Sequence, residues 1–244
     1  MDKNIYQHII KKPGKKITVL IDPDKIDVNS VDKLLNLSEK AKIDFFLVGG
    51  SLVAERPDDF IQKLKQKTKI PVVLFPGSLL QYSSKADAIL FLSLISGRNP
   101  ELLIGNHVTV APLLKKSKIE VLSTGYMLIN GGKTTSVEYV SNTMPIPADK
   151  TDIASATAIA GEMLGLKLVY MDAGSGADKP VPSGMIKKVK ENIDIPLIIG
   201  GGLQTEEQIE NACKNGADII VLGNILEKEP EKIIRMAEIV HSYR

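Results

Sequence analysis

Short runs of continuously apolar residues recur along the chain, and most are followed by a stretch whose apolar positions return every three or four residues. The runs are "KITVLID" (16–22), "FFLVGG" (45–50), "PVVLFPG" (71–77), "AILFLSL" (88–94), "EVLSTGYML" (120–128), "KLVYMDAG" (167–174), "PLIIGGG" (196–202) and "IIVLGN" (219–224). Unbroken apolar runs, as opposed to alternating ones, are what parallel strands buried on both faces require. Helical periodicity falls over 31–41, 57–67, 152–164, 183–191, 205–215 and 230–241. Strands alternating with helices in a chain of 244 residues predict an α/β fold, a (β/α)8 TIM barrel spanning residues 1–244 as one domain. A doubly wound open sheet is the alternative.

Two connections break the rhythm. Between the third and fourth strands only "SLLQYSSK" (78–85) is available, whereas a parallel crossover with its helix needs about ten to twelve residues. The barrel is therefore expected to be modified, with the third helix missing and thinly covered apolar surface on that flank. Leu79, Leu80, Tyr82 and Leu94 are read there either as the lining of an apolar groove or as ordinary core. The opposite anomaly is "NGGKTTSVEYVSNTMPIPADK" (130–150), a long polar loop that contains Tyr139. Loops of that length inside a compact domain usually serve a site or tie subunits together.

Composition narrows the picture. Apolar residues make up 43% of the chain, aromatics 5%, and Trp is absent, so the core is expected to be aliphatic. Acids and bases are interspersed with a net charge of +2, which gives no electrostatic case for a nucleic-acid partner. The lone Cys213 cannot form an internal disulfide or a cysteine metal cage. It follows Ile209 and Ala212 in a helical pattern and reads as a core thiol. "MDKNIYQHIIKKPGKK" lacks the apolar centre of a signal segment and no run reaches membrane-spanning length, so a cytoplasmic protein is expected. "KKPGKK" reads as a solvated basic turn or, alternatively, as a transient contact with an anionic membrane surface.

Barrel active sites sit at the C-terminal ends of the strands, so the residues following each run carry the chemistry. "DPDK" follows the first strand and "GGS" the second; "DAGSGA", "GGGLQT" and "GN" follow the sixth, seventh and eighth. Each glycine alone could be a plain turn. Three neighbouring exits with almost no side chains, however, offer bare N–H groups to one point, as an anion site needs. In "GGGLQTEEQI" Thr205 and Gln208 have capping-box spacing, which leaves the amides of Gly201 and Gly202 for a ligand. Gly174, Ser175 and Gly176 are expected to add amides and one hydroxyl. "LIDPDKI" reads either as a solvated turn or as a cation pole. In the second reading Asp22 and Asp24 reach a hard divalent ion, typically Mg²⁺ held by few carboxylates plus substrate oxygens, with Ser51 beside them.

"LIDPDK", "LVGGS", "YMDAGSGA", "IIGGGLQT" and "VLGN" occur in the order and spacing of the geranylgeranylglyceryl phosphate synthase family, which the chain resembles from about residue 16 to 240. The resemblance implies a barrel lacking its third helix. It also implies a prenyltransferase that joins sn-glycerol 1-phosphate to a polyprenyl diphosphate, most simply geranylgeranyl diphosphate, and releases diphosphate with Mg²⁺. By that resemblance Asp22 and Ser51 match metal ligands. Tyr170, Asp172, Gly174, Ser175 and Gly176 match the glycerol-phosphate segment, with Asp172 and Tyr170 the catalytic pair. Gly201, Gly202, Gly223 and Asn224 match further phosphate contacts, and Lys25 supports either charged group. The implied partners are these two small molecules and copies of the chain itself, as a dimer or hexamer. One position departs from the family pattern: Asp172 stands where a glutamate is usual.

The remaining polar residues read as structural. His8, His107 and His241 lack ligand spacing, and Arg98 in "SGRNP" is either a surface residue or a diphosphate contact. A phosphosugar isomerase or aldolase barrel would share the glycine loops but needs an inward lysine or an acid–base pair. A non-catalytic phosphate-ligand binding protein is the other alternative.

Overall fold

The computed structural model describes residues 4–26, 28–53 and 57–243, with the backbone alone at 28 and 29; the first three residues of the basic N-terminal stretch lie outside them. Eight parallel strands close in sequence order, β1 to β8, and β8 pairs back onto β1. The strands are β1 Lys16–Ile21, β2 Phe45–Val48, β3 Val72–Leu74, β4 Ala88–Leu94, β5 Glu120–Leu128, β6 Leu168–Asp172, β7 Leu197–Gly200 and β8 Ile219–Leu222. The open-sheet alternative is thereby excluded. Each lies within one of the apolar runs of the sequence. Apart from Gly200, the last residue of β7, the glycines and prolines at the run ends fall outside the strands, where they turn the chain.

Helices α2 Val28–Lys40, α3 Pro57–Lys67, α6 Thr151–Met163, α7 Ser183–Lys190, α8 Glu206–Lys214 and α10 Lys232–Ser242 match the helical periodicity. Four more were not expected: α1 Ile5–Lys11, α4 Asn106–Lys116, α5 Ser136–Ser141 and α9 Asn224–Lys228. Among the described residues no helix is long and apolar enough to cross a membrane.

Two apolar layers hold the barrel together, as the period-two alternation of strand side chains dictates. Ile17, Val19, Phe46, Val48, Val72, Val169 and Ile199 face outward and pack with the helices. Phe45, Leu47, Val73, Leu90, Leu122, Leu168, Ile198 and Val221 fill the interior. Ile5 and Ile9 of α1 belong to the interior layer, so α1 plugs the N-terminal end of the barrel. Glu120, at the start of β5, accepts the N–H groups of Ile5 and Tyr6 at 2.5 and 3.1 Å, which relieves the exposed donors at the start of that helix.

Between β3 and β4 there is only a one-turn 3₁₀ segment, Leu79–Gln81, so the third helix is absent as expected. β3 pairs with β4 at only two positions, Val73↔Ala88 and Leu74↔Ile89. On the other side β4 pairs with β5 from Ala88↔Glu120 to Leu94↔Tyr126. The outer face of β4 is thus uncovered on its β3 side, and that opening shapes the site.

Candidate active site

A cavity of about 850 Å³ opens at the C-terminal end of the barrel. Three groups of residues line it, each from a different part of the strand ring.

The first group comes from β6, β7 and β8. Ser175, Gly176, Gly201, Gly202, Gly223 and Asn224 all line the cavity. Gly176, Gly201 and Gly202 have φ values of +75°, +74° and +70°, a conformation that side chains disfavour. At Gly201 a Cβ would also lie 2.4 Å from Asp172 Oδ1 and 2.5 Å from the Gly174 nitrogen. Only glycine fits where the backbone of β7 passes the carboxylate that ends β6. The capping box forms as the spacing predicted: Gln208 N donates to Thr205 Oγ1 at 3.2 Å and Thr205 N to Gln208 Oε1 at 3.1 Å. Among the described residues no protein acceptor takes the N–H of Ser175, Gly176, Gly201, Gly202 or Asn224. Gly174 departs from the expectation, because its N–H already donates to Asp172 Oδ1 at 2.6 Å. The Ser175 hydroxyl donates to Asn224 Oδ1 at 2.9 Å, which ties the β6 and β8 loops together.

Asp172 ends β6 at the cavity wall and is only 6% exposed. Its Oδ2 accepts from the Tyr126 hydroxyl at 2.7 Å, its Oδ1 from Gly174 N. Burial pushes its carboxyl up from the usual range, and those two hydrogen bonds pull against that rise. Tyr170, two residues earlier on the same face, is fully buried. Its ring stacks on Phe75 at 5.3 Å and meets Tyr126 edge-on at 5.4 Å. Burial and the Asp172 charge hold both phenols well above their ordinary range. Tyr126 and Phe75 went unrecognised in the sequence, where each is one apolar residue in a strand run.

The second group is the cation pole. Asp22, Lys25, Gly50 and Ser51 line the cavity beside the first group. Asp22 Oδ2 pairs with Lys25 Nζ at 3.0 Å, and its Oδ1 accepts the Asp24 N–H at 3.2 Å. Burial works against the Lys25 charge, yet the hydrogen bond and attraction of Asp22 outweigh it and raise its pKa. A Cβ at Gly50 would come within 3.1 Å of Asp22 Oδ2. Asp24 is a correction: its side chain is exposed and does not line the cavity, because the turn at Pro23 rotates it outward. Among the described residues no three His, Cys, Asp or Glu converge as a metal-ligand set.

The third group is apolar. Leu90, Leu92, Leu94, Phe75 and Tyr126 line the cavity from inside the barrel, and Ile89 and Phe91 line it from the outer face of β4. The cavity therefore crosses the rim where no helix covers β4 and continues toward α4, where Leu102, His107 and Val110 line it. The imidazole of His107 meets Phe91 edge-on at 4.4 Å. Burial lowers its pKa, and among the described residues its Nδ1 has no partner. Leu79, Tyr82 and Leu94 line the groove as expected, but Leu80 does not; it is 76% exposed. Arg98 is exposed, does not line the cavity, and donates to Gly97 O at 2.7 Å.

Lys133, Ser136, Val137 and Ser141 bring the 130–150 loop and α5 over one side of the mouth, while Tyr139 is 82% exposed. "KKPGKK" precedes β1 and so lies at the end of the barrel away from the mouth. Lys16 there is buried, donating from Nζ to the Lys12 and Gly14 carbonyls. At the same end His8 and His241, remote in sequence, both meet buried Asp44, at 2.9 and 3.7 Å. Cys213 is buried in the core, and burial pushes its thiol up to about 11.

A family model described as the PcrB family matches residues 8–241. The chain is similar to the geranylgeranylglyceryl phosphate synthase of Chitinophaga pinensis, with 53% identity over 246 residues covering 99% of this chain and 98% of that protein. The synthase of Spirosoma linguale is 49% identical over 235 residues, covering 96% and 94%. The fold is similar to the crystal structure of (S)-3-O-geranylgeranylglyceryl phosphate synthase from Thermoplasma acidophilum in complex with sn-glycerol-1-phosphate. That likeness has a TM-score of 0.92 and 34% identity, and covers 97% of this chain and 98% of that one.

Proposed function

The chain belongs to the PcrB family, and from that premise we propose that it is a prenyltransferase joining sn-glycerol 1-phosphate to a polyprenyl diphosphate through an ether bond. One observation carries the reading: a single cavity connects unpaired backbone amides, a buried carboxylate and a long apolar groove. A phosphate monoester suits the amides, an attacking hydroxyl suits the carboxylate, and an isoprenoid tail suits the groove. The relative solved with sn-glycerol-1-phosphate supports the acceptor half. The many synthases of geranylgeranylglyceryl phosphate among the relatives support a C20 donor.

In this reading the Gly176, Gly201, Gly202 and Asn224 amides hold the acceptor's phosphate, with Ser175 and Gly223 shaping the loops. Tyr170 fixes the glycerol, and Asp172 takes the proton of the attacking hydroxyl as the new C–O bond forms. A positioned base typically contributes about 10²–10⁴-fold. Lys25 and the Asp22 pole face the departing diphosphate. At the pole after β1 and β2, the carboxylate of Asp22 and the hydroxyl of Ser51 are hard-oxygen donors that fit Mg²⁺, which is commonly held by few protein ligands and otherwise by substrate oxygens. When bound, the ion would neutralise charge on the diphosphate; Asp22 and Ser51 would hold it, and Lys25 would share the carboxylate. The apolar groove keeps water from the allylic carbon while positive character develops there.

A phosphosugar isomerase or aldolase reading gains nothing from the geometry. The buried strand lysine, Lys16, faces the end of the barrel away from the cavity. Cytoplasmic location, self-association as a dimer or hexamer, and membrane contact are part of the same proposal.

The test is incubation with Mg²⁺, labelled sn-glycerol 1-phosphate and C15, C20 or C35 prenyl diphosphate, with sn-glycerol 3-phosphate as the control. An organic-extractable product from the 1-phosphate, abolished by EDTA, is expected. No product from any donor, with acceptor binding intact, would favour a non-catalytic phosphate-binding protein.

A further inference from the structure

Tyr126 is bound to the reacting carboxylate yet has no part in the chemistry described so far. In the parallel register of β5 and β6, Leu128 lies opposite Asp172 and Tyr126 opposite Tyr170. Tyr126 therefore shares the inward face with Asp172 but sits two residues lower. Its ring spans that distance and delivers the hydroxyl to Asp172 Oδ2 at 2.7 Å. The ring is wedged at 5.4 Å from Tyr170 and 6.0 Å from Phe75, which fixes the direction of the hydroxyl. If Tyr126 only filled core volume, phenylalanine would serve and would leave no hydroxyl needing a buried partner.

We propose that Tyr126 is a positioning residue for the transfer reaction: its hydroxyl keeps Asp172 a fixed anion at the cavity wall and sets the lowest pH at which that carboxylate accepts the glycerol proton. The role rests on the reading of Asp172 as proton acceptor. A carboxylate removed from water among aromatic rings favours its neutral form, and a neutral acid cannot accept a proton; hydrogen bonds to the anion oppose that. The groups facing Asp172 are Tyr126 from β5, Tyr170 from β6, the Gly200–Gly201 backbone of β7 and the Gly174 amide of the β6 loop. Among the described residues no lysine, arginine or histidine joins them. Of the two donors, Gly174 is fixed backbone, so Tyr126 is the one that the side-chain sequence controls. Its own phenol, held well above its usual range by burial and by Asp172, stays a donor through neutral pH.

The test compares the wild type, Tyr126→Phe, and protein with 3-fluorotyrosine placed at 126 alone, whose more acidic hydroxyl is a stronger donor. Two readouts are taken: the pH profile of turnover, and the titration of the Asp172 carboxyl by ¹³C NMR of aspartate-labelled protein, assigned with Asp172→Asn. For Tyr126→Phe the acid limb and the carboxyl midpoint should both rise by about one pH unit, the scale of a lost hydrogen bond to a charged group. Turnover should fall about tenfold below the limb and recover to within about twofold above it, with KM for sn-glycerol 1-phosphate unchanged. Fluorotyrosine should move both midpoints down. Unmoved midpoints in both proteins, or a loss of rate equal at every pH, would overturn the proposal. If the wild type transfers no prenyl group, the functional reading fails, while the carboxyl titration still decides whether Tyr126 controls Asp172.

Discussion

The two sides of the cavity are built by opposite means. On the β6–β8 side the chain withdraws its side chains and presents backbone: four glycines at positive φ and, among the described residues, five amides without protein acceptors. On the β3–β5 side it presents almost nothing but side chains, from Phe75, Leu92, Tyr126 and His107 on four separate segments. A backbone site tolerates no added atom, because its donors are fixed by the turn that carries them. A side-chain groove gives way more readily, because its walls can repack. The first side should therefore fail steeply on small changes and the second gradually.

The carboxylate where the two sides meet should give the largest effect. Asp172→Asn keeps the shape but cannot accept a proton, so turnover should fall by about 10²–10⁴-fold with little change in acceptor affinity. Steady-state kinetics in both substrates check this, and near-normal turnover would remove Asp172 from the chemistry. Next is Gly201→Ala. One methyl must fit where 2.4 Å separates it from Asp172 Oδ1, and a misplacement of about 1 Å costs on the order of 100-fold in rate. Calorimetry with sn-glycerol 1-phosphate should show weakened binding as well. Across the cavity, Leu92→Gln adds a polar group to the apolar groove without touching the glycine loops. Affinity for a C20 donor should fall only about tenfold, with acceptor binding unchanged; equal loss of both would join the two sides into one site.

How much of this was legible follows the same division. The eight strands, six of the helices and the missing third helix could be read from apolar runs and loop lengths, because each is a property of one contiguous stretch. The glycine cradle was legible for the same reason, since "DAGSGA" and "GGGLQT" each carry their own turn. The groove was not. Phe91 and His107 become neighbours only because the outer face of β4 is uncovered, and Tyr126 reaches Asp172 only through the β5–β6 register. α4 escaped notice because Pro112 and the β-branched Val108, Thr109 and Val110 blur its periodicity. α1 is too short for a periodic signal and is fixed by tertiary packing on the barrel floor.

A smaller effect on catalysis, and a control on the comparison, lies at the floor of the barrel. Burial alone would raise the Asp44 pKa, but hydrogen bonds from His241, His8 and the Ile17 N–H, with the Lys12 charge, lower it from 3.8 to about 2. A carboxyl depressed on folding stabilises the native state above its unfolded value. That stability is lost as pH falls from about 4 through about 2. Asp44→Asn should lower the unfolding free energy at neutral pH by about 2 kcal/mol and flatten the acid limb of a denaturation series. Turnover at 25 °C should stay the same, since Asp44 is at the far end from the cavity.

The division of labour is tested most directly by following backbone amides during binding. In protein labelled with ¹⁵N-glycine, addition of sn-glycerol 1-phosphate should shift the amides of Gly176, Gly201 and Gly202. The amides of Gly97 and Gly105, on the groove side, should stay in place. Shifts confined to Gly49, Gly50 and Gly77, with Gly201 and Gly202 unmoved, would put the acceptor's phosphate at the other pole and contradict the account.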